Sequence, residues 1–300
     1  MIWGEEKRLC LLYALTPIHA GAGQALKAVD LPIQRERHTA WPMVQASGIK
    51  GALRDWCEKV WKKMGLRKDL ADCIFGKAGE EASWAGAVTV TDARILFFPV
   101  RSNVVPFVHV TSPAVLKRFA EDLTLLGLEN SLGQKEVQED QFIPLTGSFP
   151  DEIVLEDLVA KKAQDSSLDD KNWLNKNLPE LQKAVLISDE VFGYLVRTAT
   201  EVQAHITIDD ATGTAKEGSL RYQEYLPADS VLYFLSFFAE DRKPDSSCKE
   251  GGLRLLPRDV ASLVIDAVAT HIQIGGDFTL GKGICKVYWI APDASSGGAS

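Results

Sequence analysis

The sequence predicts an α+β protein in which helices cover one side of an antiparallel sheet. The order of its elements supports this class: strand, helix, strand pair, helix, insertion, strand pairs, helix, and then two strands around a glycine-rich loop. Its length fits about two domains or one elaborated domain, and a chain of 300 residues, 46% of them hydrophobic, can bury a core without disulfides or metals.

Each predicted element has a local reason. The first strand is an apolar run that ends before Pro17. In the first helix, apolar residues recur at helical spacing, with Ser47 as the expected N-cap and Gly65 as the stop. The predicted strands are 8–16, 86–98 (a pair broken near Asp92), 184–197, 201–208, 230–239, 271–275 and 284–290, and the predicted helices are 47–64, 113–127 and 257–270.

Three segments interrupt or end this pattern. Residues 129–184 are polar and acidic, and we expect a partly helical insertion over one face of the sheet. Residues 209–219 (DDATGTAKEGS) are typical of a hairpin tip, and residues 291–300 are low in complexity and expected to be disordered. Together these features predict a single elaborated domain over 1–290 with a ferredoxin-like or RRM-like core and large insertions.

The charge is unevenly distributed along the chain. The formal net charge of −8 argues against nucleic acid as a ligand, because nucleic-acid-binding domains are usually basic. However, residues 1–68 carry 12 Lys and Arg against 6 Asp and Glu, so the remainder is strongly acidic. An anion-binding N-terminal face explains this asymmetry, and a solvated basic helix face explains it equally well.

Cysteine usage and hydropathy indicate the compartment. The five cysteines are scattered and form no CxxC pair, so neither a zinc ribbon nor a disulfide framework is expected. A reducing cytoplasm is the simplest location. The apolar runs fall far short of the ~20 residues of a membrane helix, and the first ten residues lack the features of a signal peptide. No membrane partner is expected.

The glycine-rich loop matches GxxxxGK over 276–282 but does not predict a P-loop. Gly283 stands where Ser or Thr would hold Mg²⁺, and a strand follows where the motif needs a helix. A nucleotide-binding enzyme that uses Lys282 therefore stays an alternative only. Glycines such as Gly275 and Gly276 can instead bring backbone amides close to a polyanion, and a flexible hairpin is the plainer interpretation.

The start of the first helix has features typical of a phosphate-binding site. Ser47, Lys50 and Arg54 combine free helix-start amides with two cations on one face. A well-capped surface helix is the alternative. His19, in the first glycine-rich turn, either packs locally or touches a ligand.

Asp30 lies in an extended or turn segment before an X-Pro unit. Arg35 and Arg37 follow it closely. The spacing alone favours a turn cap or an ion-pair partner over a catalytic carboxylate held beside a phosphodiester.

Several motifs together resemble a known family. They are TPIHAGAGQ (16–24), VDLPIQRERHTAWP (29–42), SGIKGALRDW (47–56), IDDATGTAKEGSLRYQEYLP (208–227) and IGGDFTLGKG (274–283). They resemble RAMP-superfamily CRISPR proteins, in particular the backbone subunit of type III-B (Cmr) effector complexes. The resemblance implies an RRM-like palm with a protruding β-hairpin thumb at about 198–219. It also implies copies stacked in a helical filament along a CRISPR guide RNA, together with other Cmr subunits.

The resemblance further implies cleavage of complementary target RNA at regular intervals, with Mg²⁺ or Mn²⁺. The family's essential carboxylate, a candidate metal ligand, falls on Asp30, and its first-turn histidine falls on His19. Glu224 and Tyr225 lie in a segment that the family uses near the cleavage site. The RNA-binding candidates are Lys50, Arg54, Ser47, Arg35, Arg37, Gly275, Gly276 and Lys282. A scaffold that binds guide RNA without cutting is the alternative.

Overall fold

The computed structural model confirms the α+β class. It describes residues 4–24, 28–79, 82–128, 135–164, 171–244, 248 and 253–292. The tail predicted to be disordered, 291–300, lies outside this range from residue 293 onward, as do two parts of the predicted insertion, 129–134 and 165–170.

The strands and helices follow one another in this order. The strands are β1 (Glu6–Ala14), β2 (Met43–Val44), β3 (Gly76–Lys77), β4 (Trp84–Ala85), β5 (Val88–Val90), β6 (Ala93–Arg101), β7 (Phe107–Thr111), β8 (Gln141–Thr146), β9 (Glu152–Leu155), β10 (Leu158–Lys162), β11 (Ala184–Leu186), β12 (Glu201–His205), β13 (Arg221–Tyr225), β14 (Val231–Phe238), β15 (His271–Gln273) and β16 (Ile284–Ile290). The helices are α1 (Ala46–Lys63), α2 (Leu70–Phe75), α3 (Pro113–Leu126), α4 (Lys171–Asn177), α5 (Asp189–Thr198) and α6 (Pro257–Ala267).

Four strands and two helices make the predicted ferredoxin-like core. The strands lie in the order β16-β1-β14-β6, and each neighbouring pair is antiparallel. Helix α1 connects β1 towards β6, and α6 connects β14 towards β16. This is the βαββαβ arrangement that the element order indicated.

Helices α1 and α6 pack together on one face of this sheet. The apolar stripe predicted for the first helix is buried there and includes Ile49, Leu53 and Trp61. The indole Nε1 of Trp56 donates to the carbonyl oxygen of Ala267 in α6 at 3.0 Å. The spacing of apolar residues in the sequence was therefore sufficient to predict the buried face of α1.

Helix α3 lies on the opposite face, so the expectation that all helices share one side was wrong. Phe119 of α3 contacts the ring of Tyr233 at 4.7 Å between centroids. The next residue of β14, Phe234, points the other way and contacts Trp289 at 5.9 Å. Neighbouring residues of a strand face opposite sides, so both faces of the sheet carry a core.

The chain between β6 and β14 extends the sheet. Strands β7, β11, β8, β10 and β9 continue in that order beyond β6. The prediction of a partly helical insertion over one face at 129–184 was therefore wrong for β8 to β10. In β9, Ile153 and Leu155 are buried while Glu152 is exposed, an alternation typical of a half-buried strand.

The strand predicted at 184–197 ends at Leu186, and α5 follows. The Ser188 side chain accepts from the Val191 amide at 3.2 Å and caps this helix. Phe192, Leu195 and Val196 form its buried stripe. Aromatic and β-branched residues in this segment favour a strand by composition, and the helix forms because its apolar face is buried.

Cys73 and Cys248 form a disulfide across 175 residues, which corrects the expectation from cysteine spacing. Sequence spacing cannot reveal such a pair, because the two cysteines meet only in the folded chain. Cys10, Cys57 and Cys285 are free and buried. In the part of the chain that the structure describes, no helix is long and apolar enough to cross a membrane.

Candidate functional site

A groove of about 340 Å³ lies between the first turn, the start of α1 and the loop that connects β15 and β16. We call it the glycine groove, because Gly21, Gly48, Gly51, Gly275 and Gly276 all line it. Without side chains at these positions, an extended ligand can approach the backbone closely.

The glycine loop is pinned to the first turn. Gly276 N–H donates to the His19 carbonyl oxygen at 2.8 Å, and Gly283 N–H donates to the Pro17 carbonyl oxygen at 2.9 Å. A Cβ on Gly275, which has φ +81°, would lie 2.5 Å from the His19 oxygen. Strand β16 follows the loop, so the P-loop alternative lacks the helix it needs.

His19 is nearly buried at the end of this groove, with 9% of its surface exposed. Its Nδ1 lies 2.8 Å from the carbonyl oxygen of Glu224, and its ring lies 5.5 Å from that of Tyr225. These contacts fix the imidazole between the glycine loop and β13. The structure therefore brings His19, Gly275 and Gly276 together, a contact that the sequence alone did not predict.

Helix α1 begins one residue before Ser47, so the prediction of Ser47 as its N-cap was wrong. Gln45 is the N-cap residue, and its side chain makes no capping hydrogen bond. The Asp92 carboxylate accepts from the Ala46 amide at 2.7 Å instead. This cap comes from a distant turn, which local sequence cannot show. Ser47 lines the glycine groove.

Lys50 and Arg54 line a second groove beside α1. We call it the basic groove, because Lys77 and Arg242 line it as well. Burial and the nearby Arg242 and Arg54 lower the pKa of Lys50. Arg54 donates to Asp72 at 2.5 Å, to Glu58 at 2.9 Å and to the Gly76 carbonyl at 2.6 Å, so its charge is balanced within the protein.

Asp30 is docked on strand β13. Its Oδ2 accepts from the Tyr222 amide at 2.7 Å. The amides of Asp30 and Leu31 both donate to the Tyr222 carbonyl oxygen at 3.1 Å. Strands β12 and β13 form a two-stranded hairpin, and a parallel bridge joins Gln223 of β13 to Leu31. The position of this hairpin therefore sets the position of Asp30.

Glu224 and Arg35 form an ion pair that supports the Asp30 loop. Arg35 Nη2 donates to Glu224 Oε1 at 2.6 Å, and the Ile33 amide donates to Oε2 at 3.0 Å. Thr200 Oγ1 also donates to Oε1, at 2.8 Å. These partners give Glu224 and Arg35 a structural role, whereas Arg37 is exposed on the following turn. The catalytic role predicted for Glu224 and the RNA contacts predicted for Arg35 and Arg37 stay predictions.

Tyr225 joins the hairpin to the glycine loop. Its hydroxyl donates to Asp277 Oδ2 at 3.0 Å, and Gln223 Nε2 donates to the same oxygen at 2.5 Å. Lys282 Nζ lies 4.6 Å from the centre of the Tyr225 ring. Burial and the adjacent Asp277 carboxylate raise the pKa of the Tyr225 phenol, so it is protonated at neutral pH.

Asp277, Gln223 and His205 were not among the residues predicted from the sequence. In the structure, His205 also belongs to this group, because its Nε2 lies 3.0 Å from the Tyr225 hydroxyl. The sequence carried one signal for Asp277, which is its position directly after two glycines in a turn. In the structure Asp277 has φ +58°, a conformation that Asp adopts more readily than most residues. As for a metal, the described residues contain no group of three or more His, Cys, Asp and Glu side chains that could hold one.

Comparisons with known proteins show the family to which this chain belongs. A family model described as "RAMP superfamily" matches residues 11–286. The chain is 36% identical over 292 residues to "CRISPR system Cmr endoribonuclease Cmr4" of Pyrococcus furiosus, covering 92% of this chain and 93% of that protein. The crystal structure of oligomeric Cmr4 from Pyrococcus furiosus is 28% identical, with a TM-score of 0.68 and coverage of 96% of this chain and 99% of that one.

A third similarity supports the fold alone. A chain in the cryo-EM structure of the Type III-B Cmr-beta complex bound to cognate target RNA is 16% identical, with a TM-score of 0.72. It covers 96% of this chain and 98% of that one.

Proposed function

Because this chain belongs to the RAMP superfamily, we propose that it is the guide-RNA-binding backbone subunit of a type III-B CRISPR effector that cleaves target RNA. Its partners are then the CRISPR guide RNA, complementary target RNA, further copies of itself in a helical filament, and other Cmr subunits in the cytoplasm. The observation that carries this proposal is the 36% identity, over 92% of the chain, to a protein named a Cmr endoribonuclease.

In this proposal, the two grooves bind the guide RNA and the loop that carries Asp30 acts at the cleavage site. The basic groove and the glycine groove together hold the guide, because cations suit a phosphodiester chain and glycines let RNA approach the backbone closely. Base pairing between guide and target supplies sequence specificity, while the protein reads backbone and shape. Asp30, held against β13, supplies the carboxylate at the cut.

Cleavage proceeds in this proposal by attack of a target 2′-hydroxyl on the adjacent phosphorus. The O2′–P bond forms and the P–O5′ bond breaks, the 2′-hydroxyl proton passes to the Asp30 carboxylate, and a water protonates the departing 5′ oxygen. The products are a 2′,3′-cyclic phosphate and a 5′-hydroxyl. Holding the 2′-hydroxyl in line with the phosphorus contributes to the acceleration, for which orientation and proximity together can supply up to about 7–11 kcal/mol.

A requirement for Mg²⁺ or Mn²⁺ is part of the proposal. The described residues contain no group of three or more metal-binding side chains, and Mg²⁺ is commonly bound by one or two carboxylates together with substrate phosphates, so Asp30 would be the protein ligand and the RNA would supply phosphate ligands. Chelation by EDTA tests the requirement directly: cleavage that survives EDTA would remove the metal from the proposal.

The catalytic proposal is tested with Asp30→Asn in the reconstituted guide-bound complex. Asparagine keeps an oxygen that can accept from the Tyr222 amide, so the loop keeps its anchor while the carboxylate is lost. We expect evenly spaced cuts in the wild type, loss of cutting in the variant, and unchanged target affinity. Asp266→Asn, an exposed position of α6, is the matched control and should cut normally.

Two outcomes would change the interpretation. If Asp30→Asn lost target affinity as well as cutting, Asp30 would be a structural residue of the loop. If neither protein cut a matched target while guide RNA stayed bound, the chain would be a scaffold. His19, Glu224 and Tyr225 stay candidates for the same reaction, and their protein contacts favour a role in positioning the Asp30 loop and the hairpin.

A further inference from the structure

Phe278 is an exposed aromatic residue on the wall of the glycine groove. It begins the short 3₁₀ turn Phe278–Leu280 inside the glycine loop, and 48% of its surface is exposed. Among the described residues, its ring makes no contact with another aromatic ring or with a cation. An aromatic face turned toward a groove, with no ring stacked on it, can accept a flat apolar partner.

The backbone around Phe278 is held in place. The side-chain amide of Gln273 donates to the Phe278 carbonyl oxygen at 3.0 Å, and Gly281 N–H donates to it at 3.1 Å. The adjoining Asp277 is bound to Tyr225 and Gln223 of the hairpin. Since the loop is fixed on both sides, little backbone entropy is lost when a ligand packs against the ring.

The chemistry of the glycine groove suits the neutral part of a nucleotide. Among the described residues, no Lys or Arg lines it, and the Asp55 carboxylate at its edge is bound to Lys59 at 2.6 Å. The cations Lys50, Lys77 and Arg242 instead line the basic groove. Phosphates therefore favour the basic groove, and bases favour the glycine groove.

The Gln34 side-chain amide that lines this groove is already bonded within the protein. Both ends of the Gln34 side-chain amide are engaged: Nε2 donates to the Gly21 carbonyl at 3.0 Å, and Oε1 accepts from the Gln45 amide at 2.8 Å. Stacking needs no such groups, because every base has an aromatic face. A guide-binding subunit has to accept variable sequences.

We propose that the glycine groove holds one unpaired nucleobase of single-stranded RNA, stacked on the ring of Phe278. This inference rests on the proposed function and deepens it by naming the part of the RNA that the groove binds. A volume of about 340 Å³ gives a groove at the lower end of the range for small-ligand sites.

The test compares Phe278→Ala, Phe278→Leu and Phe278→Trp in the full chain, bound to single-stranded guide RNA of mixed sequence. We expect about 5- to 160-fold weaker binding for alanine, an intermediate loss for leucine, and near wild-type affinity for tryptophan. The slope of log affinity against log salt should not change, because no phosphate contact is removed. Leu280→Ala, on the same turn and 60% exposed, is the matched control and should bind normally.

A second readout locates the base. Guide RNAs with 2-aminopurine at successive positions should show strong quenching at one position in the wild type, and the quenching should vanish in Phe278→Ala.

If the wild type binds guide RNA and Phe278→Ala binds it equally well, this inference is wrong and the proposed function stands. If Phe278→Ala alters only self-association, the ring is a contact between copies of the chain. If the wild type binds no guide RNA, the proposed function itself fails.

Discussion

Replacing Glu224 with alanine should lower the free energy of unfolding more than the loss of a single surface ion pair would. The Glu224 carboxylate is 9% exposed and accepts three hydrogen bonds, from the Ile33 amide, Arg35 and Thr200. Removing it leaves a half-buried guanidinium without its counter-charge and a buried amide without its acceptor. Both losses add to the free-energy cost of the folded state.

The magnitude follows from these contacts. Breaking a buried pair by removing one partner costs about 3–5 kcal/mol. Arg35 is 20% exposed and keeps the carbonyls of Ala40 and Val196 as acceptors, so the loss from the pair is discounted to roughly 2–3 kcal/mol. The unpaired Ile33 amide adds about 1 kcal/mol. We expect Glu224→Ala to lower the free energy of unfolding by about 3–4 kcal/mol.

Urea denaturation, with its slope compared between variants, measures this change. Glu224→Gln keeps one acceptor and loses the charge, so its loss should be smaller. Thr200→Val removes one donor to the same carboxylate and should cost about 1 kcal/mol. A loss below about 1 kcal/mol for Glu224→Ala, at an unchanged slope, would mean that solvent screens the pair as it does on a surface, and the reasoning would be refuted.

Two further outcomes concern His109 and the disulfide. Burial lowers the pKa of His109 in the folded protein. As the pH falls, this imidazole therefore becomes protonated in the unfolded chain before it does in the folded one. The free energy of unfolding should then decrease below about pH 6.5. Unfolding measured from pH 7.5 to 5.5 should therefore show a flatter loss of stability in His109→Gln, and equal slopes would contradict this. Thiol titration of the unfolded, unreduced chain should count three free cysteines, while five would show that Cys73 and Cys248 are not bonded.

The parts of the fold that sequence could predict depend on neighbouring residues. The buried stripe of α1 and the strands β1, β14 and β16 are visible as local periodicity or apolar runs. The glycine loop was correctly placed between two strands because it lacks the helix of a P-loop. What sequence could not supply were partners far away in the chain: the Asp92 cap on α1 and the joining of β8 to β11.

The candidate site shows the same division. The motifs named Asp30, His19 and Glu224, but not what each of them touches. Glu224 and Arg35 are separated by 189 residues, and their pairing makes Arg35 a support for the loop. Nothing in the cluster of cations after Asp30 distinguishes the bound Arg35 from the exposed Arg37. Only the folded chain separates the side chain that holds the loop from the one that faces solvent.

The β12–β13 hairpin connects the two ends of the site. At one end, the Tyr222 amide holds the Asp30 carboxylate, and at the other, Tyr225 and Gln223 share Asp277 of the glycine loop. Tyr222 and Tyr225 belong to the same short strand. A nucleotide bound in the glycine groove therefore rests on the loop that this strand grips, while the same strand fixes the carboxylate proposed to act at the cut. In the proposals above, the guide-binding loop and the Asp30 carboxylate are therefore held by one structural element, strand β13.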